Sequence, residues 1–112
     1  MGTLILTKVS EHSIPILKLF FVDRNSITMF RPMNLCLLLQ VSWIRHSDVH
    51  ILAVGQHTFT SDTRFASRYH EHSGRFTLSI RPVQKSDEGT YECQISTKPT
   101  KSFVVHVKVR GK

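Results

Sequence analysis

At 112 residues, 40% of them apolar and 21% charged, the chain is sized for one globular domain. Its net charge of +7, from 15 Lys and Arg against 8 Asp and Glu, favours acidic partners or surfaces, but the basic residues run from Lys8 to Lys112 without a cluster, as on a solvated face. No apolar run reaches the ~18 residues of a membrane span, no signal peptide or lipid-anchor tail stands out, and no N-x-S/T sequon occurs.

Over residues 1–40 neither a period of 2 nor one of 3.6 persists, so this stretch is expected to be an unassigned N-terminal segment, separate from a domain over residues 41–110. Its strand candidates are Phe20 to Val22 and Leu35 to Leu39, with Asp23 to Ser26 as a turn between them. From Val41 the pattern is clearer. With Trp43 inward, period 2 sets Ser42, Ile44 and His46 on the outer face of a strand. Ser47-Asp48 turns into a strand from His50 to Val54, ended by Gly55, and His57 to Thr60 alternates after it. Ser61-Asp62-Thr63 turns toward Arg64-Phe65, His72-Ser73-Gly74 turns again, and Phe76 to Ile80 alternates as a further strand. Asp87-Glu88-Gly89-Thr90-Tyr91-Glu92-Cys93 reads D-x-G-x-Y-x-C and leads into a strand. Tyr91, Cys93 and Ile95 share one face of it, and Glu92, Gln94 and Ser96 the other. After a turn at Lys98-Pro99-Thr100, Val105, Val107 and Val109 form the inner row of the last strand, with Val104, His106 and Lys108 outside.

The D-x-G-x-Y-x-C run, a lone tryptophan on V-S-W-I-R, the Arg64-Phe65 start and the Phe76 to Ile80 strand, taken together, resemble a variable-type immunoglobulin domain. The run VSWIRHSDVHILAVGQHTFTSDTRFAS, followed by RFTLSIRPVQKSDEGTYECQISTKPTKSFVVHVKV, resembles the first immunoglobulin domain of the defective proboscis extension response (Dpr) proteins, over about residues 41–109. The resemblance implies an all-β, immunoglobulin-like variable-type sandwich, with strands A and B poorly represented because residues 1–40 do not match. It gives structural roles to Trp43, Arg64, Asp87, Gly89, Tyr91 and Cys93: Tyr91 fixes the corner, and Arg64 pairs with Asp87. It implies a neuronal cell-surface recognition and adhesion module in synapse organisation, on the membrane of neuron projections. The implied partner is another immunoglobulin-superfamily ectodomain, of the Dpr-interacting protein type.

The same resemblance gives Cys93 a disulfide partner, and Cys36 is the one other cysteine. Cys36 lies seven positions before Trp43, a short connection between strands of opposite sheets, and Leu37-Leu38-Leu39-Gln40 offers poor turn chemistry. A Cys36–Cys93 bridge and two free thiols both stay open. Without a true strand B, the Phe76 to Ile80 strand, which the resemblance makes strand E, would be left with an unpaired edge and a tendency to aggregate.

Catalytic chemistry finds no support, since no G-x-S-x-G and no Gly-rich phosphate loop occur. His70-Glu71-His72 lacks zincin spacing and a third ligand, so no metal or cofactor is expected, and no small-molecule substrate. His46, His50 and His57 read as surface residues. The informative feature is the outer face, where Ile44 and Val104 are apolar. The expected partner-binding face comprises Ser42, Ile44, His46, Ile51, Ala53, Glu92, Gln94, Ser96, Val104 and His106. Two rival readings are a basic domain binding acidic glycans or nucleic acid, and a partial gene product without function. Steep salt dependence would mark polyanion binding.

Overall fold

The computed structural model describes residues 2–11, 20–30, 40–70, 74–96 and 99–111. They form strands β1 (Gly2–Glu11), β2 (Phe20–Asp23), β3 (Ser26–Phe30), β4 (Val41–Arg45), β5 (His50–Val54), β6 (His57–Thr58), β7 (Phe65–His70), β8 (Arg75–Ile80), β9 (Gly89–Ile95) and β10 (Lys101–Gly111), with a 3-10 turn at Lys85–Asp87. One sheet has the order β1-β10-β9-β4-β5-β6 and the other β2-β3-β8-β7, a two-sheet sandwich.

Period 2 decides which side chains fill the space between the sheets. Tyr91, Cys93 and Ile95 of β9, Phe103, Val105, Val107 and Val109 of β10, and Phe76, Leu78 and Ile80 of β8 are all buried. Trp43 of β4 is fully buried among them, and its Nε1 has no hydrogen-bond partner among the described residues. Val83 is buried as well, and its carbonyl accepts the Gly2 N–H at 3.2 Å.

Phe20 to Val22 lies in β2 and Arg24-Asn25 in the turn after it, as read from the sequence, but the rest of the N-terminal part differs from that reading. β2 and β3 form a hairpin around Arg24-Asn25, and β3 pairs antiparallel with β8, Ile27 opposite Leu78 and Met29 opposite Phe76. Strand β8 therefore has a neighbour on each side, and the expected unpaired edge is corrected. Ile27 and Met29 fill the inward positions of β3 and are fully buried, so the strand in the place of strand B carries no cysteine. β1 pairs antiparallel with β10 from Gly2 opposite Gly111 to Glu11 opposite Phe103, which covers that edge of the larger sheet. Its register shifts between Leu6 and Lys8. That irregularity breaks the alternation a sequence reading depends on. Leu35 to Leu39 and Cys36 lie outside the described residues, as do Glu71 and His72.

Where the two sheets meet at one end of the sandwich, Arg64 binds Asp87 with Nη1 to Oδ2 at 2.7 Å and Nη2 to Oδ1 at 2.9 Å. Asp87 also accepts the Gln84 N–H at 2.7 Å, and its carbonyl accepts the Tyr91 hydroxyl at 2.7 Å. Burial, helped by the Asp87 charge, pushes the Tyr91 hydroxyl up to about 12, so it stays protonated as the donor that holds this corner. Cys93 is a fully buried free thiol, and burial pushes its pKa far up, which leaves it unreactive.

Candidate interaction face

The outer face of β10, β9, β4 and β5 is built by register. Val104 stands opposite Glu92, Glu92 opposite Ile44, and Ile44 opposite Ile51, one row across four strands. The next row runs Ser102, Gln94, Ser42 and Val54. On the other side His106 faces Thr90, whose carbonyl accepts the His46 N–H at 2.9 Å. Cross-strand neighbours on one face lie about 5 Å apart, so Val104 and Ile44 flank one carboxylate, with Ile51 beyond Ile44.

That carboxylate is held on both oxygens. His46 Nε2 lies 2.8 Å from Glu92 Oε1, and Gln94 Nε2 donates to Oε2 at 2.8 Å. Burial alone would push the Glu92 carboxyl up, but hydrogen bonds from His46, Gln94 and Ser102 outweigh it and hold it below its ordinary value. The face thus presents a fixed negative charge within an apolar row. Thr90 Oγ1 and His106 Nδ1 are 3.0 Å apart at the edge. Ser96 lies at the opposite end, where its Oγ accepts the Gln40 N–H at 2.8 Å.

Ala53 does not reach this face. The pairing of β4 with β5 shifts register after Trp43: Trp43 faces Ala53 and Ile44 faces Ile51, which leaves Leu52 as an extra residue, a β-bulge. Leu52 and Ala53 are both fully buried, while Ile51 remains 48% exposed. The expectation for Ala53 is therefore corrected, and Val54, half-exposed opposite Ser42, takes a place in the face instead. A bulge of one residue reverses the alternation beyond it, and nothing in His50 to Val54 marks its position.

The sequence reading also missed two exposed apolar side chains beside this face. Val49, 80% exposed, sits in the β4–β5 turn with φ +51°, a left-handed conformation rare for a β-branched residue. Phe59, 61% exposed, follows β6, and its N–H donates to the Leu52 carbonyl at 2.9 Å. The turn is closed by Arg45, whose Nε and Nη2 hold Asp48 at 3.0 and 2.8 Å, and this contact keeps the Asp48 carboxyl below its ordinary value. Among the described residues no three His, Cys, Asp or Glu side chains gather as metal ligands.

The pattern of the immunoglobulin V-set domain matches residues 37–110. The Zwei Ig domain protein zig-8 of Caenorhabditis elegans is 31% identical over 70 residues, 62% of this chain and 26% of that protein. Lachesin of Drosophila melanogaster is 39% identical over 66 residues, 57% of this chain and 18% of that protein. The chain thus spans about a quarter or less of the length of these relatives. Among solved structures, that of Dpr1 IG1 bound to DIP-eta IG1 is 40% identical with a TM-score of 0.64, over 72% of this chain and 74% of that one. By pattern, sequence and fold together, the chain belongs to the immunoglobulin V-set family and is similar within it to the first immunoglobulin domains of Dpr proteins.

Proposed function

We propose that the chain is a recognition module of the neuronal cell surface, binding another immunoglobulin-superfamily ectodomain face to face through β10, β9, β4 and β5, in synapse organisation. The observation that carries this reading is the Val104, Glu92, Ile44, Ile51 row. Apolar side chains gathered at the centre of an otherwise polar sheet face form the kind of desolvated anchor that dominates binding energy, with a polar rim to exclude water. The bound immunoglobulin domain in the Dpr1 IG1 structure supports a partner of the same superfamily. Recognition, not catalysis, is the work proposed: the acidic and basic groups on this face are engaged with one another, and the one described cysteine is buried.

Binding of the full chain to immobilised Dpr-interacting-type ectodomains tests this reading. Ile44→Asp places a charge at the centre of the row, where an unpaired buried charge costs several kcal/mol. Affinity is expected to fall at least about a hundredfold with an unchanged denaturant midpoint. Equal affinity of the variant and the parent chain would overturn the assignment of the face.

A further inference from the structure

Glu92 is the one charge in the apolar row of the proposed partner face. It stands between Val104 and Ile44 in the middle of the β10-β9-β4-β5 face, and its side chain is 18% exposed, so a docking surface can reach its carboxylate. Its contacts are with His46, Gln94 and Ser102, two neutral donors and an imidazole, and no lysine or arginine among the described residues pairs with it. His46 and Gln94 each fix one oxygen, which pins the carboxylate in the row rather than leaving it free to turn toward solvent. Docking removes water from this centre. A carboxylate closed in among aliphatic side chains is strongly unfavourable unless an opposite charge meets it.

We propose that Glu92 is a specificity-determining residue of this face, selecting an immunoglobulin ectodomain that presents a lysine or arginine to it and disfavouring a second copy of this chain. The selection presupposes the partner face assigned above, and it acts in two ways. A cation from the partner restores neutrality while the aliphatic side chains on either side keep their apolar contacts. A second copy does the reverse. In a two-fold dimer the same patch meets itself, and the four-strand row has its midpoint between β9 and β4, between Glu92 and Ile44. With strands about 4.8 Å apart, an axis through that midpoint sets the two Glu92 positions roughly 5 Å apart across the interface. Like charges at that separation repel strongly once water is gone. The net charge of +7 acts on encounter with acidic surfaces, and dissolved salt screens it beyond about 10 Å. The choice at Glu92 is made at hydrogen-bond distance, after the faces have met.

Titration of the full chain against immobilised Dpr-interacting-type ectodomains, together with sedimentation of the chain alone, tests the proposal. Glu92→Gln keeps the shape of the side chain and removes its charge. It is expected to lose at least about tenfold in affinity for an ectodomain that the parent chain binds, with an unchanged denaturant midpoint, and to self-associate at least about tenfold more tightly than the parent. Ectodomain variants in which each lysine or arginine of the corresponding sheet is replaced in turn by methionine locate the cation. Against one of them, parent chain and Glu92→Gln are expected to bind within about twofold of each other. Ile44→Asp separates the selection from the face it presupposes: binding lost in Ile44→Asp but unchanged in Glu92→Gln overturns the selection and leaves the face, and binding unchanged in both overturns the two together. A loss in Glu92→Gln that no ectodomain variant cancels also overturns the proposal. If parent affinity then falls as pH rises from about 6 to about 8, a proton on His46 supplies the compensating charge instead. Self-association of the parent chain tighter than its ectodomain binding overturns it as well.

Discussion

Asp87 and Arg64, twenty-three residues apart in sequence, meet through two hydrogen bonds of 2.7 and 2.9 Å, with the Asp87 side chain almost wholly shielded from water. The same aspartate ties down the 3-10 turn through the Gln84 N–H and the β9 corner through Tyr91, so one residue couples both sheets. Asp87→Ala is expected to destabilise the fold by about 3 kcal/mol, the low end for breaking a buried pair, because Arg64 keeps Asp62. Asp62→Ala, at a site one-third exposed, is expected to cost less than about 1 kcal/mol. Urea midpoints of the two variants check the ranking.

Ile51 and Ala53 illustrate how far one extra residue separates neighbours. Ala53→Leu forces a larger side chain into the filled core beside Trp43 and is expected to cost about 1 to 3 kcal/mol. Ile51→Asp, on the exposed side of the bulge, is expected to shift stability by less than about 0.5 kcal/mol while weakening partner binding. Thermal unfolding and titration of both variants separate the two roles.

The parts of the fold that could be read from sequence are those where period 2 runs unbroken over several residues. Tyr91, Cys93 and Ile95, and Val105, Val107 and Val109, are such rows, and each is buried as a row. The alternation fails where the backbone is irregular: between Leu6 and Lys8 in β1 and at Leu52 in β5. β3 was hidden for a different reason. Ser26 to Phe30 is five residues with a buried threonine between two buried apolar side chains, too short to declare a period. Most of the candidate face was legible, because Ile44, Glu92 and Val104 follow from the inward direction of Trp43, Cys93 and Val105. Val49 and Phe59 were not, since turn and edge residues carry no periodic signal.

Val49 holds φ +51° in a turn whose N–H donates to the His46 carbonyl at 3.3 Å. A left-handed conformation costs an L-residue roughly 1 to 2 kcal/mol, and asparagine tolerates it better than a β-branched side chain. Val49→Asn is expected to raise stability by about 1 kcal/mol. A lower thermal midpoint in this variant would mean that the exposed valine side chain makes a contribution larger than the backbone strain it carries.

Cys93 lies between the sheets with no exposed surface, and burial disfavours its thiolate. A thiol in that position reacts only when the surrounding structure opens. Labelling of Cys93 by an aromatic disulfide reagent, followed by peptide mapping, is expected to be undetectable in the native chain and to track global unfolding as urea is added. Rapid labelling without denaturant would place the opening of β9 well below the global unfolding free energy.

Acid is expected to destabilise the domain through carboxylates that the fold keeps ionised. The Arg64 guanidinium holds Asp62 below its ordinary value against the opposing effect of burial. Burial raises Glu92, but hydrogen bonds from His46, Gln94 and Ser102 outweigh it. For a group whose folded pKa is depressed, the unfolded chain binds the proton more readily. The stabilisation is therefore complete above the unfolded carboxylate range of about 4 and is lost as pH falls through the lower, folded values. The thermal midpoint should vary little with these groups between pH 7 and about 5 and fall below that. Asp62→Asn removes one such group and should flatten the fall in acid. An identical acid profile for this variant would show that the Arg64 contact contributes nothing to the difference between folded and unfolded protonation.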